Sequence, residues 1–284
     1  MISIIICSRN PVDAKKSTIN VSETIGVPYE VIIVDNSANQ YGICEAYNVG
    51  ASRSKYKLLC FMHEDIILHT FNWGERIMQI FADSSIGLLG VAGSTYVMKS
   101  PSAWWDSGKK NRFMHIMHTT QDRKQEVQHY NESNQILVDV AVIDGVWMCT
   151  RKEIWEKKPF DATVLDEFHF YDMDFSLSVR EAGKRVCVTF EVVIEHFSMG
   201  SINASWTKNA LKFNSKRRDI LPYGVDNYSE KERQANELIN TKVFVNRLLS
   251  HGYGLAVVSK YIWEGFKIKP WDRDLLYLLK KKLL

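Results

Sequence analysis

The sequence lacks several features that would place it in large, well-defined classes. It has no stretch of about 18 consecutive apolar residues, so no membrane-spanning helix is expected. Its five cysteines (Cys7, Cys44, Cys60, Cys149, Cys187) are odd in number, show no Cys-x-x-Cys spacing and mostly lie inside apolar runs. Such thiols read as small core residues in a reducing compartment, which excludes a disulfide framework and a cysteine-built zinc site. No Gly-x-Gly-x-x-Gly follows the first apolar run and no Gly-x-x-x-x-Gly-Lys-Ser/Thr occurs, which argues against a dinucleotide dehydrogenase and a P-loop NTPase. Excess charge is also scarce: 36 Lys and Arg against 33 Asp and Glu leave a net +3, too little to imply a nucleic-acid partner. The opening "MISIIICSRN" has no basic segment or small-residue cleavage site before its apolar run. That run is therefore expected to be a first strand, and the protein to be cytoplasmic.

What is present is an ordinary globular composition, 45% hydrophobic and 24% charged over 284 residues, enough for one main domain with an appendage. "ISIIIC", "VIIVDNS" and "KLLCFM" are β-branched or apolar runs separated by room for two helices, around residues 12 to 25 and over "GICEAYNVGASRS". This predicts β-α-β-α-β with parallel strands, whose carboxyl ends collect ligands. Beyond it come a helix at "WGERIMQIFADS", a strand at "IGLLGVAGS", a polar and aromatic loop or hairpin excursion over residues 100 to 135, and a strand–turn–strand at "ILVDVAVIDGVWMCT". A short helix at "RKEIWEKK", a helix at "FYDMDFSLSVREAG" and a strand at "KRVCVTFEVVIEHF" follow, and the chain reads as helical after about residue 229.

One strand end stands out. In "LLCFMHEDIIL" a buried-looking strand runs into His63, Glu64 and Asp65 before apolar residues resume. Three ionisable side chains in a row are costly to bury unless they are paired or ligated.

The order of landmarks resembles the GT-A nucleotide-sugar glycosyltransferases, in particular the family-2-like inverting enzymes, over roughly residues 1 to 200. "IIICSRN", "VIIVDNS", "YNVGAS", "CFMHED", "VIDGVWMCTRKEIWE" and "FYDMDFSLSVREAGKRVCV" follow that family's sequence of motifs. The resemblance implies an α/β fold with a GT-A type mixed sheet flanked by helices over residues 1–228, and a C-terminal helical appendage over 229–284. It implies transfer of a sugar, from a nucleotide donor that is most often UDP-linked, to a hydroxyl of a glycan or lipid-linked acceptor in cell-surface polysaccharide synthesis. It also implies a Mn²⁺ or Mg²⁺ cofactor.

The resemblance assigns residues as well. Asp65 is a metal ligand in a DxD-type motif whose usual first Asp is replaced here by His63, and His196 is a further ligand. Ser8, Arg9, Asp35, Asn48 and His63 would contact the nucleotide, Asp35 through the uracil imide, with Gly50 packed beside Asn48. Asp172 is the general base, and Asp174, two residues on at a helix start, caps or braces the helix. Trp104, Trp105, Asp144, Gly145 and Trp147 would bind the sugar or acceptor. Lys208, Lys212, Lys216, Arg217 and Arg218 either contact the diphosphate or form a solvated helix face. The leucines, aromatics and lysines of the C-terminal segment would serve membrane contact or self-association. His115, His118, His129 and His251 have no partner legible in the sequence. Two alternatives stand beside this: a sugar nucleotidyltransferase, which expects a Gly-rich loop with a Lys that "CSRNPVDAKK" lacks, and a degenerate nucleotide-sugar binding module, suggested by His63.

Overall fold

The computed structural model describes residues 1–119, 124–198, 200, 202–226 and 228–283. The chain opens with β1 (Ile2–Ser8), α1 (Pro11–Thr24), β2 (Tyr29–Asp35), α2 (Ile43–Ser52), β3 (Leu58–Met62) and β4 (Ile66–Leu68). Next come α3 (Trp73–Ile80), β5 (Ile86–Gly90), β6 (Ala92–Ser94), β7 (Tyr96–Val97), β8 (Arg112–Thr119) and β9 (Gln125–Tyr130). The middle continues with β10 (Leu137–Asp139), β11 (Val142–Ile143), β12 (Trp147–Arg151), α4 (Lys152–Lys157), α5 (Tyr171–Glu181), β13 (Arg185–Thr189) and β14 (Ile194–His196). It ends with α6 (Ala204–Lys216), β15 (Tyr223–Gly224), α7 (Glu230–Ser250), α8 (Leu255–Ile268) and α9 (Arg273–Leu283).

Among the described residues the main sheet has the order β10-β13-β5-β12-β3-β1-β2. β1 pairs in parallel with both β2 and β3, as the three apolar runs predict, while β12 enters antiparallel between β3 and β5. Ile2, Ile4, Ile5 and Ile6 are fully buried, the signature of a strand covered on both faces. Asn10 caps α1 by accepting from the Val12 N–H, and Pro11 takes the first helical position, where no donor is needed. Gly50 lets α2 lie against β1: a Cβ there would collide with Ile5. Its role is thus packing, and the expected nucleotide contact is corrected.

A second sheet, β11-β6-β8-β14-β4 with β9 on β8, stands at the carboxyl edge of the first. The excursion over residues 100 to 135 resolves into short 3₁₀ turns around Trp104 and the β8–β9 hairpin, with residues 120–123 outside the described residues. α7, α8 and α9 pack on one another and against the body of the protein. The Glu237 carboxylate accepts from the Lys99 and Ser100 N–H groups at 2.6 and 2.9 Å, and Arg247 stacks over the Trp206 ring at 4.7 Å. The C-terminal helices therefore brace the segment that carries Trp104 and Trp105. Among the described residues no helix is long and apolar enough to cross a membrane.

Candidate active site

The turn after β3 is where the charged triplet separates. Glu64 swings back to the end of β1, accepting from the Ser8 hydroxyl at 2.8 Å and from the Arg9 and Asn10 N–H groups at 3.0 and 2.9 Å. It therefore satisfies donors at the start of α1, where a carboxylate is also favoured by the helix dipole. Asp65 precedes β4, and β4 pairs antiparallel with β14 so that His196 lies opposite Ile66. The ladder brings two residues far apart in sequence to 3.4 Å, His196 Nε2 to Asp65 Oδ1.

His63 completes the group: one potential ligand atom from each of His63, Asp65 and His196 lies within 4.8 Å of the others. Burial opposes ionisation of Asp65, but His196, His63 and Ser198 outweigh it and hold the carboxyl well below the usual range. Burial, then His196, pushes His63 down to about 4, so its ring is neutral and has a lone pair available at physiological pH. The Tyr171 hydroxyl, 3.0 Å from His63 Nε2 and 3.1 Å from the Gly145 carbonyl, fixes the ring plane. Two imidazoles and a carboxylate suit a first-row divalent cation such as Mn²⁺, and the cluster fits the metal role expected of Asp65 and His196. His63, expected only as a nucleotide contact, also joins that cluster.

His118 adds a ring from β8, in register with His196 and with ring centroids 5.7 Å apart. It was not singled out in the sequence. Alternation on β8 gives its face but not its neighbour.

Beside this cluster is a cavity of about 460 Å³ lined by residues including Trp104, Trp105, Asp144, Gly145 and Asp172. Asp172 sits in the first turn of α5, its Oδ2 accepting from the Gly145 N–H at 2.9 Å and its Oδ1 from the Met173 N–H at 2.8 Å. Burial and then the neighbouring Asp144 raise its pKa to about 7 against those two hydrogen bonds. Phe170, just before α5, has φ +69°, a costly region for an aromatic residue. Stacking on Phe213 at 5.2 Å and packing on Trp206 hold it there. Asp174 faces away, accepting from Arg217 Nε at 2.6 Å and Lys216 Nζ at 2.8 Å, with Asp174 and Arg217 only 3% and 6% exposed.

Trp104 is fixed by an indole N–H donated to Asp144 at 2.7 Å and packs edge-on against Trp105. Gly145 has no room for a Cβ, which would strike the Tyr171 ring. Trp147 does not reach the cavity. It is fully buried under the sheet against Trp73, so its assignment to the acceptor is corrected.

Other assignments change for the same kind of reason. Asn48 accepts from Trp155 Nε1 and the Phe160 N–H and donates to the Phe160 carbonyl, so it pins a loop and offers no face to a nucleotide. Ser8 is buried and engaged by Glu64. Lys208, Lys212 and Lys216 pair with Glu167, Asp166 and Asp161, and Arg217 with Asp174 and Glu181, so these four are not a diphosphate clamp. Arg9 keeps an open position, lining a shallow cleft of about 730 Å³ with Tyr41, Gly42 and Glu167. Phe168, His169 and Gly200 line both this cleft and the cavity, so the two adjoin. Asp35 ends β2 exposed, level with Ser8 in the register and held by the Ser37 N–H at 2.9 Å.

A mixed nucleotide-type sheet with a parallel β3-β1-β2 half, and a His–Asp–His cluster and an acidic helix start at its carboxyl edge, has the architecture of a GT-A fold. The chain belongs to the glycosyltransferase-like family, whose model matches residues 3–220. It is similar in structure to GalNAc-T7, solved with UDP, GalNAc and Mn²⁺, at TM-score 0.52 and 11% identity, covering 83% of this chain and 54% of that one. This chain thus spans about half the length of that protein. It is also similar to the mannosyltransferase PcManGT from Pyrobaculum calidifontis, solved with GDP-Man and Mn²⁺, at TM-score 0.52 and 12% identity, covering 99% and 86%. None of the curated proteins matches the chain in sequence.

Proposed function

We propose that the protein is an inverting, metal-dependent glycosyltransferase that moves a sugar from a nucleotide-sugar donor, UDP-linked by preference, to a hydroxyl of a glycan or lipid-linked acceptor. The observation that carries this reading is that His63, Asp172 and His196 line one cavity, with Asp65 beside it in the histidine cluster. A cation held by His63, Asp65 and His196, Mn²⁺ or Mg²⁺, would neutralise the charge that develops on a departing diphosphate. Arg9, in the adjoining cleft, and Asp35, at the neighbouring end of β2, receive the nucleotide. Asp172 takes the proton of the acceptor hydroxyl as that oxygen attacks the anomeric carbon from the face opposite the leaving group. The Gly145 and Met173 N–H groups hold its carboxylate in one orientation. Trp104 and Trp105 supply apolar faces for a pyranose, and Asp144 fixes the first of them.

A role in polysaccharide synthesis at the cytoplasmic side of a membrane accords with the C-terminal helices, where Trp263, Trp271 and Tyr277 are exposed among lysines. The same faces suit self-association. The side chains of residues 282–284 at the end of the basic tail lie outside the described residues.

The test is a screen of UDP-, GDP- and dTDP-sugars for Mn²⁺-dependent hydrolysis in the absence of acceptor. Slow release of the nucleotide diphosphate from at least one donor is expected. Absence of release and of binding for all of them would refute the reading and favour a non-catalytic module.

A further inference from the structure

A second cavity, of about 470 Å³, lies between the end of α6, the Lys99–Ser100 turn, α7 and α8, and is separate from the site described above. Its lining includes five cationic side chains (Lys99, Arg218, Arg233, Lys260, Lys267) and three carboxylates (Glu230, Glu237, Glu264). Two of the carboxylates are neutralised locally: Arg233 pairs with Glu230, and Lys267 with Glu264 at 2.8 Å. Glu237 is buried in the wall and occupied by the two backbone N–H groups it accepts from.

That leaves Lys99, Arg218 and Lys260 in the lining of the cleft with no salt bridge among the described residues, Lys99 and Arg218 sharing the field of Glu264, which Lys267 holds. Lys260 is 5.2 Å from the Tyr261 ring and lies over its face. The contrast with the neighbouring basic residues decides the matter: Lys208, Lys212, Lys216 and Arg217 of the same run all make salt bridges, and Arg218 makes none among the described residues. The Ser100 hydroxyl, 8% exposed, also lines the cleft and lies beside the Glu237 carboxylate. Three cations that make no salt bridge among the described residues, gathered around one concavity, are a donor set for a phosphate. The rim adds a second element. Lys260, Trp263 and Lys267 share one face of α8 by helical spacing, and Trp263 is 63% exposed. An aromatic ring flanked by lysines matches the interfacial zone of an anionic bilayer.

We propose that this cleft binds a phosphate or diphosphate group, as borne by an anionic lipid headgroup or by a soluble phosphate compound. The site stands independently of the transferase reading, because none of its residues reaches the cavity of Asp172. Through Glu237 its occupant borders the Lys99–Ser100 turn that leads to Trp104.

The test is titration of the full-length protein with inorganic pyrophosphate in EDTA, which removes any contribution of a cation at the His63–Asp65–His196 cluster. Saturable binding is expected, weakened about tenfold or more in Arg218→Gln and in Lys99→Gln. The exposed Lys280→Gln serves as a charge control with wild-type affinity, and all variants should melt as the wild type does. Co-sedimentation with phosphatidylcholine vesicles carrying phosphatidate, displaced by pyrophosphate, would support a lipid headgroup as the source. Saturable pyrophosphate binding without sedimentation would support a soluble phosphate. No saturable binding, or equal loss in Lys280→Gln and Arg218→Gln, overturns the proposal.

Discussion

The Asp172→Asn substitution should change the protein's stability in a way that depends on pH. Burial, with Asp144 next, raises the folded-state pKa of Asp172 to about 7, whereas an unfolded Asp titrates near 3.9. The fold therefore favours the protonated acid. Its contribution is fully present below about pH 4 and is lost as pH rises through about 7. A gap of about three units corresponds to roughly 4 kcal/mol, and solvent reaching the half-buried carboxylate reduces this to about 2–4 kcal/mol. Asparagine cannot ionise, but it loses one of the two acceptors that face the Gly145 and Met173 N–H groups, at about 1 kcal/mol. At pH 5, where about 1.5 kcal/mol of the wild type's advantage is already lost, the variant should melt close to the wild type, and at pH 8.5 above it, a swing of roughly 3–8 °C for a chain of this size. Thermal melts followed by circular dichroism in EDTA across pH 5 to 8.5 measure it. A wild-type-minus-variant difference that stays flat over that range would show that the carboxylate is ionised throughout, and the electrostatic argument would be wrong.

Activity should separate the two carboxylates of α5. Asp172→Asn keeps shape but removes basicity, so turnover in the donor-and-acceptor assay should fall roughly 10²- to 10⁴-fold with donor affinity nearly unchanged. Asp174→Asn should instead act on the fold: it leaves the buried Arg217 with Glu181 and neutral acceptors only, and should cost about 2–4 kcal/mol while the folded fraction retains turnover. A folded Asp174→Asn protein without turnover beside an active Asp172→Asn protein would assign the base to the wrong residue.

How far the sequence carried depends on the kind of signal each part leaves. The parallel β1, β2 and β3 were legible because each carries a continuous apolar run, "ISIIIC", "VIIV" and "LLCFM"; β1 and β3 are covered on both faces, while β2 is the half-exposed edge of the sheet. Asp65, Asp172, Asp174 and His196 were singled out because their order along the chain follows a known pattern. The contact that joins Asp65 to His196 is a ladder between β4 and β14, which no local pattern encodes. Glu64 was passed over beside its two neighbours, because its partners are backbone N–H groups more than 50 positions earlier. Trp147 and Asn48 were misplaced because residue type alone does not say which face of a strand or helix meets the ligand. The basic run on α6 looked like an anion clamp. Its acidic partners, Asp161, Asp166 and Glu167, lie in a loop that the chain folds against it.

The central claim is that a metal held by His63, Asp65 and His196 joins the nucleotide to the protein. Isothermal titration with UDP, in Mn²⁺ and again in EDTA, addresses it most directly. Tight binding with Mn²⁺, lost in EDTA and lost equally in Asp65→Asn with the metal present, is the predicted result. Equal affinity with and without metal would contradict the account and leave the histidine cluster without a role in donor binding.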